Sequence, residues 1–145
     1  MKEYVRLPII AITMLLISGC VSSQPGPSVK TGQYPQLLKD EMKKTIMANY
    51  LLYIPEEYSD SEEKWPLMLF LHGAGERGKN VKKVERHGPP RLIAKKKKEF
   101  PFVIVSPQCP EEAWWSDEEQ ITILGALLNE VISRYRIDED RIYVT

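Results

Sequence analysis

Cysteine and histidine are both scarce in this sequence. Its 145 residues hold two of each, Cys20 and Cys109, His72 and His87, too few cysteines for a disulfide framework and no histidines at a metal-site spacing such as H-E-x-x-H. No metal or other cofactor is expected. Net charge is absent as well: twenty Lys and Arg balance twenty Asp and Glu, which argues against a nucleic-acid partner and gives no electrostatic hint of a substrate. No internal repeat is visible. The longest apolar stretch, Leu7 to Ile17, falls short of the roughly 20 residues that a membrane-spanning helix needs. With 43% hydrophobic and 28% charged residues, the chain has an ordinary globular composition and material for one packed core.

What is present begins with an amino-terminal address. Lys2 and Arg6 precede the apolar stretch, and small residues lead to Cys20, the layout of a charged region, a hydrophobic region and a processing site. Ile17-Ser18-Gly19-Cys20 resembles the lipobox of bacterial lipoproteins. That implies removal of residues 1–19, lipidation of Cys20 and anchoring in the bacterial cell envelope, with the membrane as a partner through the lipid alone. Val21 is not the aspartate of an inner-membrane retention signal, so the outer membrane or cell surface is the favoured destination. A plain secretory signal or an uncleaved anchor is the alternative. Each acyl CH₂ buried contributes roughly 0.8 kcal/mol, so a near-neutral mature chain needs no basic patch to bind. Residues 20–35, rich in Ser, Pro and Gly, read as a flexible tether. Cys109 is then expected unpaired, as a small buried or half-buried hydrophobe.

Residues 36–145 carry the pattern of a folded domain. "TIMANYLLYIP" (Thr45 to Pro55) predicts a strand, and the continuous apolar run Leu67 to Leu71 predicts a second, covered on both faces as in a parallel sheet. Pro89-Pro90-Arg91-Leu92-Ile93-Ala94 opens a helix with proline in its first turn. "FPFVIVSP" (Phe100 to Pro107) predicts a further buried strand. In "SDEEQITILGALLNEVISRYR", Ser116 and Glu119 suggest a capping box, acids fill the first turn, and Leu124, Leu127, Leu128, Val131, Ile132 and Tyr135 form one apolar face. Ile142, Tyr143 and Val144 close the sequence as extended backbone. Strand alternating with helix gives the class α/β.

The chemistry gathers at "LFLHGAGERG", Leu69 to Gly78. A buried strand that ends in His-Gly and opens into a glycine-rich loop can turn backbone N–H groups inward, because glycine permits positive φ and close approach. An inward N–H pair is what a developing oxyanion needs. His72-Gly73-Ala74-Gly75 resembles the HG-x-G oxyanion loop of the α/β-hydrolases. In that resemblance the N–H of Ala74 is the donor, Gly73 and Gly75 set the loop, and His72 helps to fix it.

The likeness extends through "WPLMLFLHGAGERG", "RHGPPRLI", "FPFVIVSPQCP", Trp114-Trp115 and "DEDRIYVT", which occur in this order in secreted esterases of the polyhydroxybutyrate-depolymerase, feruloyl-esterase and phospholipase/carboxylesterase-like type. It covers roughly Tyr50 to Thr145. It implies a mostly parallel sheet flanked by helices, a serine nucleophile, no cofactor, and a small-molecule or polysaccharide-linked ester as substrate. In such esterases the segment like "RIYVT" runs into the nucleophile elbow G-x-S-x-G, with the acid and the histidine of the triad further on. None of the eight glycines here brackets a serine in that way. The expectation is therefore the amino-terminal part of an α/β-hydrolase, cut before its elbow and inactive by itself. A serine peptidase of the same fold, or a non-catalytic surface lipoprotein acting as a binding or scaffold module, are the alternatives.

The remaining candidates have plainer readings beside the functional ones. Glu76 and Arg77 could touch substrate at a cleft mouth or form a loop-stabilising ion pair. Trp114 and Trp115 could line a pocket for an aromatic or sugar group or pack on the sheet. His87, beside Gly88 and two prolines, reads as a turn that opens a helix. Lys95 to Lys98 read as the solvated end of that helix.

Overall fold

The computed structural model describes residues 29–40, 46–60 and 62–145. The signal segment, Cys20 and most of the stretch read as tether lie outside the described residues. Five strands, β1 (Gly32–Asp40), β2 (Ile46–Ile54), β3 (Trp65–Leu69), β4 (Val103–Pro107) and β5 (Ile137–Val144), alternate from β3 onward with helices α1 (Gly88–Ala94) and α2 (Glu118–Arg134). They form one sheet in the order β1-β2-β4-β3-β5. The sheet is mixed. β4, β3 and β5 run parallel to one another, as the continuous apolar runs suggest, while β1 and β2 add an antiparallel flank. The parallel pairs use α1 and α2 as crossovers, which a parallel connection requires.

Alternation along β2 sorts the two faces of the sheet. Tyr50, Leu52 and Ile54 join Leu67, Leu69, Val103 and Val105 in the core under α2, whose Leu127 and Val131 are fully buried there. Leu51, Tyr53 and Ile104 are buried on the other face, where a 3₁₀ segment, Val81–Arg86, lies against β2 and β4 with Val84 inward. β4 is thus covered on both sides and buried throughout. β3 is not: Leu67 and Leu69 are buried, but Met68 is only half-buried, because the second-face segment lies over β2 and β4. The expectation of a doubly covered strand holds for β4 and fails for β3.

Three local features depart from the sequence reading. β1 begins at Gly32, inside the stretch 20–35 read as tether, and pairs along its whole length with β2. It is an edge strand, so Pro35 costs it no essential ladder bond. The capping box at Ser116 and Glu119 does not form: α2 starts at Glu118 with Asp117 as N-cap and no side-chain cap bond. Asp117 instead closes a turn, its Oδ2 accepting the Trp114 N–H at 2.8 Å. β5 pairs Ile137 with Trp65 and then Ile142 with Leu67, so the acidic residues between them bulge out of the ladder, tied by Arg141 Nε to Asp138 Oδ2 at 2.5 Å.

The start of α1 shows why glycine stands at position 88. Its φ is +60°, and a Cβ there would lie 2.5 Å from the Phe70 ring. Pro89 and Pro90 follow in the first turn, where a missing N–H is harmless. Lys95 to Lys98 are exposed beyond the end of this helix.

Candidate functional site

The carboxyl ends of β3, β4 and β5 lie on one side of the sheet, and two loops meet there. The first, after β3, contains His72 to Gly78; the second, after β4, contains Gln108 to Trp115. Side chains and backbone stitch them together. His72, only 4% exposed, accepts the Cys109 N–H on Nε2 at 3.0 Å and so carries its proton on Nδ1, which donates to Gly73 O at 2.7 Å. Its carbonyl accepts the Trp115 indole N–H at 2.9 Å, and the two rings meet edge-on at 5.1 Å. Gly78 N–H donates to Cys109 O at 2.9 Å. With both ring nitrogens committed, His72 is a fixed strut and is not free to move a proton.

Backbone between these anchors stays open. Gly73, Ala74 and Gly75 are exposed, and the Ala74 N–H donates to no partner among the described residues. A 3₁₀ turn, Ala74–Glu76, follows directly. Neither flanking glycine is in the left-handed region: Gly73 has φ −77°, and among the described residues the glycines with positive φ are Gly32, Gly78 and Gly88. Positive φ is used instead by Gly78, at +133°, where the loop turns back. Room does not demand glycine at either flanking position: a Cβ at Gly73 would make ordinary contact with the Glu76 carboxylate at 3.4 Å, and at Gly75 a Cβ would enter open space.

His72, Gly73, Ala74, Arg77, Cys109, Trp114 and Trp115 line one cavity of about 20 Å³. That volume holds a single water-sized group. The structure thus brings together most of the residues singled out in the sequence. Glu76 stands apart: its side chain is buried beneath the loop, with Oε1 3.5 Å from His87 Nε2, so it braces the loop from below. His87 precedes α1 and makes no side-chain cap bond.

β5 reaches the same place. Thr145, just past it, donates to Leu69 O at 3.0 Å and accepts from Leu71 N at 2.7 Å, extending the parallel ladder to the residue before His72. Two contributors escaped the sequence reading. The Cys109 backbone anchors both ends of the loop, and burial pushes its thiol pKa up, with Arg77 opposing. Gln108 Nε2 donates to Glu76 O at 2.7 Å and Asn80 O at 2.9 Å. Their signal is positional: polar residues at the end of an all-buried strand, bracketed by Pro107 and Pro110. Among the described residues no group of His, Cys, Asp and Glu is placed to hold a metal ion.

No protein-family model and no curated protein matches the sequence. Among solved structures the chain is similar to a thermostable esterase, with 26% identity and a TM-score of 0.61 over 77% of this chain. The chain spans about a third of that esterase's length, 33%. Element order, mixed sheet and this likeness together establish a partial α/β-hydrolase fold with an esterase-like relationship.

Proposed function

We propose that the protein belongs to the chemistry of carboxylic ester hydrolysis by a serine nucleophile, and that residues His72 to Gly75 are its oxyanion loop. The observation that carries this reading is the Ala74 N–H, which donates to no partner among the described residues, in a loop that lines a small cavity together with Arg77, Cys109, Trp114 and Trp115. A tetrahedral intermediate places negative charge on the former carbonyl oxygen, and a preorganised amide stabilises that charge more than it stabilises the substrate. His72, Cys109 and Trp115 hold the loop, so the amide needs little reorganisation when the charge forms. The esterase likeness supports the same reaction class.

These residues supply the electrophilic half of the site. With no G-x-S-x-G in the sequence, these 145 residues by themselves are expected to give no appreciable turnover of p-nitrophenyl acetate. The chain is held at the bacterial envelope by lipid on Cys20, a reading that rests on the lipobox-like segment.

A graft tests the assignment. Joining the elbow, acid and histidine segments of an esterase of this fold after Thr145 is expected to give turnover. Ala74→Pro, which deletes one N–H at a position where proline fits, is then expected to lower kcat by roughly 10²–10³. A graft with a cooperative thermal transition whose turnover ignores Ala74→Pro would overturn the assignment.

A further inference from the structure

Arg77 is a cation held in place without an acid. Its Nε donates to Ala74 O at 3.2 Å and its Nη1 to Ala113 O at 3.2 Å, and the guanidinium lies 4.0 Å from the centre of the Trp114 ring. Among the described residues it forms no ion pair. Two nearby acids are engaged elsewhere, Glu76 buried against His87 and Asp117 with its Oδ2 on the Trp114 N–H, while Glu111 and Glu112, in the loop before Ala113, are exposed and make no ion pair with Arg77. Lys83 Nζ adds a second cation nearby, donating to Arg77 O at 3.3 Å.

A guanidinium offers five N–H donors, and these contacts use two of them. The rest, including both on Nη2, are open on a side chain already ordered by stacking and two backbone bonds. An anion arriving there gains charge-assisted, fork-shaped bonding at little ordering cost. Trp114, 55% exposed, gives the guanidinium a platform at the surface. Arg77 and Trp114 also line the cavity to which Gly73 and Ala74 contribute, so an anion held by Arg77 sits beside the seat of the reacting carbonyl.

We propose that Arg77, laid on Trp114, is a carboxylate subsite, and that the esters this protein takes carry a carboxylate a few atoms from the reacting carbonyl. The inference deepens the ester reading above and rests on it.

Nuclear magnetic resonance of the full chain separates the two. The ligands are monomethyl succinate, with its carboxylate on the acyl side, acetoxyacetate, with it on the alcohol side, and dimethyl succinate as the neutral counterpart. The Ala74 amide reports the carbonyl seat and the Arg77 Nε–H reports the anion. At least one mono-anion is expected to move both signals and to bind roughly tenfold tighter than the neutral diester; which one does so assigns the charged side of the ester. Arg77→Gln is expected to abolish that preference while neutral binding persists. Trp114→Leu, which spares the bonds to Ala74 and Ala113, is expected to weaken the preference too. Equal affinity for charged and neutral esters, or an Arg77→Gln loss shared by both, would overturn the subsite and leave Arg77 as a prop for the loop. If no ester moves Ala74, the ester reading falls and takes the subsite with it.

Discussion

Replacing His72 with phenylalanine tests whether this histidine is a strut or a surface ornament. The ring volume and the edge contact with Trp115 survive, but the buried Cys109 N–H loses its acceptor. An unsatisfied buried donor costs about 1–3 kcal/mol, and the lost donation to Gly73 O about 1 kcal/mol more, so a destabilisation of roughly 2–4 kcal/mol is expected. His72→Gln can return an acceptor to Cys109 without restoring the Gly73 bond, so it should fall between wild type and His72→Phe. Urea unfolding at constant m reads the order directly; for m of about 2 kcal/mol/M, His72→Phe lowers the midpoint by roughly 1–2 M. A phenylalanine variant as stable as wild type, or more stable than the glutamine variant, would refute the role assigned to the two ring nitrogens.

Gly88→Ala forces a side chain into left-handed backbone, at about 1 kcal/mol, and against Phe70, at about 1–3 kcal/mol; a midpoint within error of wild type would contradict the seating of α1 on the end of β3. Burial raises the pKa of Tyr34, Tyr50 and Tyr53 above the ordinary 10.0. The unfolded chain therefore ionises first: this contribution is complete below about pH 10 and is lost as pH rises beyond it, and a urea midpoint that stays flat from about pH 9 to 11 would count against the buried tyrosines. The Cys109 thiol, pushed up by burial, should react slowly with a thiol reagent at mildly alkaline pH and quickly in urea; equal rates would show that the second loop does not seal it.

How much of this was legible in the sequence follows from where the signals lie. β2, β4 and α2 announce themselves because burial on both faces, or along one helical stripe, demands long apolar patterns. β1 was hidden because Gln33, Pro35 and Gln36 dilute it; its two-residue alternation survives only in Tyr34 and Leu38, which are buried while Leu37 is exposed. The false capping box shows local propensity losing to a specific contact, the Trp114–Asp117 turn. The oxyanion-like loop could be read from His72-Gly73-Ala74-Gly75 because glycines and histidine at a strand end are a local pattern. Cys109 and Gln108 could not, since their part in the site exists only once β4 lies beside β3 and delivers them under the loop. For Glu76 and Arg77 the sequence leaves two readings open, cleft-mouth residue or loop-stabilising ion pair, because only the folded 3₁₀ turn separates them, with Glu76 buried beside His87 and Arg77 laid on Trp114.

The most direct measurement is the Ala74 amide signal of the full chain during titration with ethyl methylphosphonate, whose charged tetrahedral oxygens imitate the reacting centre. Saturable downfield movement of Ala74, with Cys109 and Gly78 nearly still, is the outcome expected of a seated oxyanion. An unmoved Ala74, with the anion gathering at the exposed Lys95 to Lys98 instead, would contradict the account.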